Sequence, residues 1–92
     1  MENKIEIYYC NQCRWLTRSA WMAQELLTTF DTDINELSLK PGTGGVFKIY
    51  VNGKRIWSRK EQNGFPEIKQ LKQLVRDVIS PEKDLGHTDR KK

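Results

Sequence analysis

Hydrophobic and polar residues alternate from Lys4 to Tyr9, with Ile5, Ile7 and Tyr9 on one side and Lys4, Glu6 and Tyr8 on the other. A period of two predicts a strand with one buried face. After Cys10-Asn11-Gln12-Cys13 the period changes. From about Gln12 to Thr29, Leu16, Ala20, Ala23, Leu27 and Phe30 recur at spacings of three and four, and Trp15, Met22 and Leu26 widen the stripe. That is the pattern of an amphipathic helix, with Asn11 placed to cap it. Asp31-Thr32-Asp33 signals a turn, and Ile34 to Lys40 alternates again through Leu37 and Leu39. Strand, helix and strand in so short a span predict a βαβ unit with parallel strands and a right-handed crossover.

Pro41-Gly42-Thr43-Gly44-Gly45 interrupts the pattern. Val46 to Val51 and Lys54 to Ser58 then flank Asn52-Gly53. Asn-Gly supplies the two positive φ angles of a type I′ turn, so a β-hairpin is predicted there. Arg59 to Gly64 reads as a polar loop. Pro66 suits a first helical position and Glu67 the positive end of a helix whose buried stripe is Ile68, Leu71, Leu74, Val75 and Val78. Ser80-Pro81 ends that helix. The expected order is β-α-β-β-β-α: one mixed four-stranded sheet, two helices on one face, an α+β domain over residues 1–80. Residues 81–92 read as a polar tail that Leu85 could dock.

Composition narrows the function classes. The chain has 92 residues, enough for one domain with a modest core. No apolar run approaches the roughly 20 residues of a membrane span. The charged start, Met1 to Glu6, lacks the apolar segment of a signal peptide, so a cytoplasmic location is expected. The net charge of +4 alone argues little for nucleic acid, because the cations are scattered among 12 acidic residues. Two cysteines and one histidine, His87, fall short of the four ligands of a structural zinc site. No resident metal or cofactor is expected.

The candidate chemistry lies at Cys10 and Cys13, where the first strand hands over to the first helix. Cys-x-x-Cys beside a βα unit reads as a redox motif. One thiolate attacks a target and the other resolves the mixed disulfide; the motif alone does not say which. With Asn11 as cap, Cys13 falls in the first helical turn, where the helix dipole and neighbouring Arg14 lower its pKa. The blander reading is a pair of small buried hydrophobes. The start of the third strand lies beside the end of the first. Exposed backbone at Gly44, Gly45 and Val46, together with Asn11, Gln12 and Arg14, is therefore a candidate substrate contact. A strand rather than a helix follows the glycines, which argues against phosphate binding there. Trp21 falls on the polar side of the first helix, and His87 reads as a solvated polar residue.

Tyr9-Cys10-x-x-Cys13, Gly44-Gly45-Val46-Phe47, Asn52-Gly53 with Trp57-Ser58-Arg59-Lys60, Gly64-Phe65-Pro66 and the closing Asp84 to Arg90 together resemble the selenoprotein W family, also called the Rdx family. The resemblance runs over about residues 4 to 80. It implies a thioredoxin-like fold and thiol oxidoreductase chemistry. In the selenium-bearing relatives the selenocysteine occupies the second motif position, which is Cys13 here. Where thioredoxins carry a cis-proline before the third strand, this chain has Gly45, a departure from thioredoxin-style substrate clamping.

Two functions follow as expectations. The first is a thiol–disulfide oxidoreductase in which Cys13 attacks a protein disulfide, a glutathione adduct or a peroxide and Cys10 resolves it. Glutathione or a thioredoxin system would restore the dithiol, so protein thiols and glutathione are the expected partners. The second is a protein-binding module whose cysteines form a redox-sensitive latch without significant turnover.

Overall fold

The computed structural model describes residues 2–86. His87 and the rest of the tail, with most of the closing Asp84 to Arg90 motif, lie outside the described residues. The elements are β1 (Lys4–Cys10), α1 (Leu16–Phe30), β2 (Glu36–Gly42), β3 (Phe47–Val51), β4 (Lys54–Ser58), α2 (Arg59–Gln62) and α3 (Ile68–Ile79), with one 3-10 turn at Asp31–Asp33. The strands form one mixed sheet in the order β2-β1-β3-β4. β1 runs parallel to β2, with Tyr9 opposite Pro41 and Cys10 opposite Gly42. It runs antiparallel to β3, with Ile7 opposite Ile49 and Tyr9 opposite Phe47.

The alternation of β1 decides where the core lies. Ile5, Ile7 and Tyr9 are buried with Ile49, Val51 and Phe47 of β3. Met22, Ala23, Leu26 and Phe30 of α1 and Leu71 and Val75 of α3 complete this layer. Each Ile, Val, Leu, Met or Phe side chain of this layer contributes about 1.5–3 kcal/mol on burial. The opposite face is polar and partly exposed, with Tyr8 packed edge-on against Tyr50 at 5.5 Å and Lys40 bonded to Glu6 at 2.5 Å.

The hairpin forms as predicted, with Asn52 at φ 53° and Gly53 at φ 82°. Asn52 does a second job: its side chain accepts from the Lys4 N–H and donates to Asn3, at 2.8 and 2.9 Å, pinning the turn to the start of β1. A bulge near Ile56 breaks the β3–β4 register. It brings Arg55 opposite Tyr50 and Trp57 opposite Ile49, so Trp57 enters the core. The Trp57 indole N–H donates to the carbonyl of Gly64 at 2.9 Å.

Five local expectations are corrected. Helix α1 begins at Leu16, not near Gln12, and Asn11 does not cap it. The reason is Arg14, whose φ of 62° no right-handed helix can pass through. The buried stripe of α1 is also rotated. Ser19, Met22, Ala23, Leu26 and Phe30 face inward. Leu16 and Leu27 are 46% and 42% exposed, and Trp21 is exposed as well. Strand β2 starts two residues late, at Glu36, and continues through Pro41 and Gly42. Proline is tolerated because β2 is an edge strand, where its missing N–H breaks no ladder. Arg59 to Gln62 forms a one-turn helix rather than a loop, with Asn63 in the left-handed region closing it. Helix α3 begins at Ile68 with extended Glu67 as its flanking residue, so buried Pro66 precedes the helix instead of opening it.

The two long helices pack together, and Lys72 of α3 reaches Glu25 of α1 at 3.0 Å. Leu85 packs against the core, and Lys83 pairs with Asp33 at 2.9 Å. The start of the presumed tail is thus docked. No helix among the described residues is long and apolar enough to cross a membrane.

Candidate active site

Cys10 ends β1 and is fully buried, while Cys13 is exposed. Between them the chain makes a tight turn. The Arg14 N–H donates to the Asn11 carbonyl at 3.1 Å, and the Trp15 N–H donates to the Cys10 carbonyl at 3.4 Å. The Asn11 N–H donates to the carbonyl of Gly42 at 2.9 Å, tying this turn to the end of β2. The turn folds Cys13 back over Cys10, and the two sulfurs lie 2.6 Å apart.

The two sulfurs are joined by one hydrogen bond. The Cys13 thiol donates to Cys10, which holds the Cys10 pKa below the ordinary thiol value; burial opposes this, and the amides of Gly45, Cys13 and Gln12 add to it. The same bond to Cys10 pushes the Cys13 pKa up, with burial and the charge on Cys10 acting in the same direction. The Gly45 amide and the Arg59 guanidinium pull it back down in part. A lowered Cys13 through the helix dipole was expected; the late start of α1 removes that cause, and the negative charge rests first on Cys10.

Gly45 is therefore brought to the sulfurs, as its position beside the end of β1 suggests. Gly44 and Gly45 have φ of 73° and 75°, a conformation that turns the chain back along β1 and that side chains other than glycine rarely adopt. A methyl group at Gly42 would meet Val46 Cγ1 at 3.0 Å, so β2 and the glycine loop are in close contact there. Val46 is half-buried, and Gly44 lies exposed at the loop tip. Asn11, Gln12 and Arg14 are exposed around Cys13. Of these, Gln12 contributes its amide to Cys10, Asn11 anchors the turn, and Arg14 supplies the positive φ.

Arg59 is the residue that pattern reading passes over. It opens α2, and its guanidinium lies over Trp15, 4.9 Å from the ring centre. Trp15 and Phe47 both meet Phe65 edge-on at 4.9 Å, and Arg18 covers the Phe65 ring at 4.2 Å. Three aromatic rings and two guanidinium groups thus form one wall beside the cysteine turn. The sequence carries a trace of it in the Trp57-Ser58-Arg59-Lys60 and Gly64-Phe65-Pro66 segments. What it does not carry is the short helix that brings Arg59 round. Among the described residues no group of three or more His, Cys, Asp or Glu is gathered that could hold a metal.

The profile of the Rdx family matches residues 4–77. The chain belongs to the Rdx family. Among solved structures, that of a selenoprotein W-related protein from Vibrio cholerae is similar, with a TM-score of 0.85 and 56% identity, over 87% of this chain and 100% of the other. A protein from Bordetella parapertussis is similar at a TM-score of 0.82 and 58% identity, over 84% and 98% of the two chains. No curated protein matches the chain significantly. Like its selenoprotein W-related neighbour, this Rdx chain has the thioredoxin-like fold, and it carries the Cys-x-x-Cys spacing of a family with redox associations.

Proposed function

We propose that this Rdx-family chain is a thiol–disulfide oxidoreductase in which Cys13 is the attacking and Cys10 the resolving sulfur. The observation that carries this reading is an exposed thiol 2.6 Å from a fully buried one. A substrate can reach only Cys13, and only Cys10 is close enough to resolve what forms there. Accessibility thus replaces the helix dipole as the reason for the assignment.

The cycle balances without a resident cofactor. The Cys13 proton passes to Cys10, and the Cys13 thiolate attacks one sulfur of a substrate disulfide. That S–S bond breaks and the leaving thiolate takes up a proton from water. Cys10 releases the proton it took from Cys13 to water, attacks the Cys13 sulfur and expels the second substrate thiolate, which takes up a proton from water in its turn. The substrate gains two electrons and becomes two thiols; the protein becomes the Cys10–Cys13 disulfide. Glutathione or a thioredoxin-type dithiol in the cytoplasm would return the electrons.

Serine variants test the order of attack. Cys13→Ser is expected to abolish turnover of a disulfide substrate. Cys10→Ser is expected to stop after one attack and accumulate a mixed disulfide on Cys13, read as an added mass. Full activity of Cys13→Ser would overturn the assignment. A wild-type chain with no turnover, but with a partner captured in only one redox state, would replace it with the latch.

A further inference from the structure

Arg18 and Arg59 are held in an unusual way for surface arginines. Among the described residues neither is paired with a carboxylate; both lie on aromatic rings. Arg59 is 4.9 Å from the Trp15 ring centre and 5.9 Å from that of Phe65, and Arg18 is 4.2 Å from that of Phe65. The acid nearest Arg59 in sequence, Glu61, is engaged by Arg55. A guanidinium stacked on a ring keeps its hydrogen-bond donors free at its edge. Arg59 also lines a shallow polar hollow with Lys60, Asn63 and Gly64. One of the rings that hold the cations, Trp15, follows Cys13 by two residues and meets the other, Phe65, edge-on at 4.9 Å, and the Arg59 charge is felt at Cys13, so the wall flanks the thiol that a substrate can reach.

We propose that Arg18 and Arg59 form a substrate-selecting rim, and that this site prefers disulfides whose flanking groups carry carboxylates. The inference rests on the oxidoreductase reading and adds a substrate class to it. Donors free at the edge of a fixed guanidinium suit a carboxylate, which can take two of them at once. The same charges repel an approaching ammonium group. Arg59 is thus a specificity residue.

The test compares three small disulfides of similar size: dithiodiglycolate (anionic), hydroxyethyl disulfide (neutral) and cystamine (cationic). Wild-type protein is mixed with each, quenched in acid, and its thiol loss followed by mass. The ratio of anionic to cationic rate constants cancels the ionisation state of Cys13. Dividing by the same ratio for mercaptoethanol cancels the intrinsic reactivity of the probes. The expected normalised ratio is about tenfold or more at low salt, falling toward one as salt screens the rim. Arg59→Gln and Arg18→Gln should each lower it several-fold. Lys54→Gln, which removes the same charge at the distant hairpin turn, should not. A normalised ratio near one in wild type, or one that Lys54→Gln lowers as much as Arg59→Gln, would overturn the rim and leave the oxidoreductase reading standing. No reaction with any of the three disulfides would sink both. An acidic peptide disulfide identifies the source of the carboxylate: reaction faster than dithiodiglycolate points to protein substrates, slower reaction to small molecules, and either order keeps the charge preference.

Discussion

The hydrogen bond from Cys13 to Cys10 makes each cysteine titrate according to its neighbour. The first proton leaves the Cys10–Cys13 pair below the ordinary thiol range, because the remaining Cys13 thiol stabilises the Cys10 thiolate. The second leaves above it, because the Cys13 thiol is hydrogen-bonded to Cys10, partly desolvated and beside a sulfur that is already negative. Alkylation of Cys13 by iodoacetamide should therefore rise with pH in two steps. In Cys10→Ser the neighbouring charge is gone, and a single step should fall between them. The same single step in both proteins would contradict the coupling of the two thiols. Ser19 offers a second test at this scale. Its hydroxyl is the buried side-chain polar group that lacks a hydrogen-bond partner among the described residues. A buried unpaired hydroxyl costs about 1–3 kcal/mol, and alanine is the better helix former. Ser19→Ala should leave the urea midpoint unchanged or raise it; a loss above about 1 kcal/mol would show that the hydroxyl has a partner.

The elements show where pattern reading works and where it stops. Strands β1, β3 and β4 and their turn were legible because one buried sheet face forces a period of two, and Asn52-Gly53 leaves little choice of turn. Helix α1 was legible as a helix but not in phase. Leu16, Ala20, Ala23 and Leu27 form an apolar stripe as regular as the true one, and Ser19 disguises the face that is buried. Its start was hidden because nothing in the identity of Arg14 announces a positive φ. The bulge near Ile56 and the short helix α2 were also out of reach: both depend on Trp57 finding the core and Gly64 at once. The phase of α1 can be measured directly. Leu26 is fully buried, whereas Leu27 is 42% exposed. Leu26→Ala should cost about 2–5 kcal/mol in urea unfolding and Leu27→Ala less than about 1. A larger cost for Leu27→Ala than for Leu26→Ala would mean that the helix is turned the other way.

At the scale of the molecule, the fold brings one end of the sheet to bear on one sulfur pair. β1 delivers Cys10 into the core, β2 anchors the turn through Gly42, and the Gly44-Gly45 loop aims an amide at both sulfurs. α2 and the Trp15–Phe65 contact bring a cationic wall round from the far edge. The cysteine spacing and the Gly44–Val46 approach were legible because the strand order alone places them together. The wall was not, since it joins residues from three separate segments whose meeting depends on the packing of Phe65 against Trp15 and Phe47. The proposed mechanism requires Cys10 and Cys13 to exchange electrons as a pair. A redox titration in defined glutathione buffers, read by thiol alkylation and mass, measures this directly. We predict one reversible transition, in which both thiols are lost together, between about −300 and −180 mV, the span of cytosolic and folding-compartment dithiols. A pair that never closes, or that takes up glutathione on Cys13 without forming the internal disulfide, would contradict the dithiol mechanism.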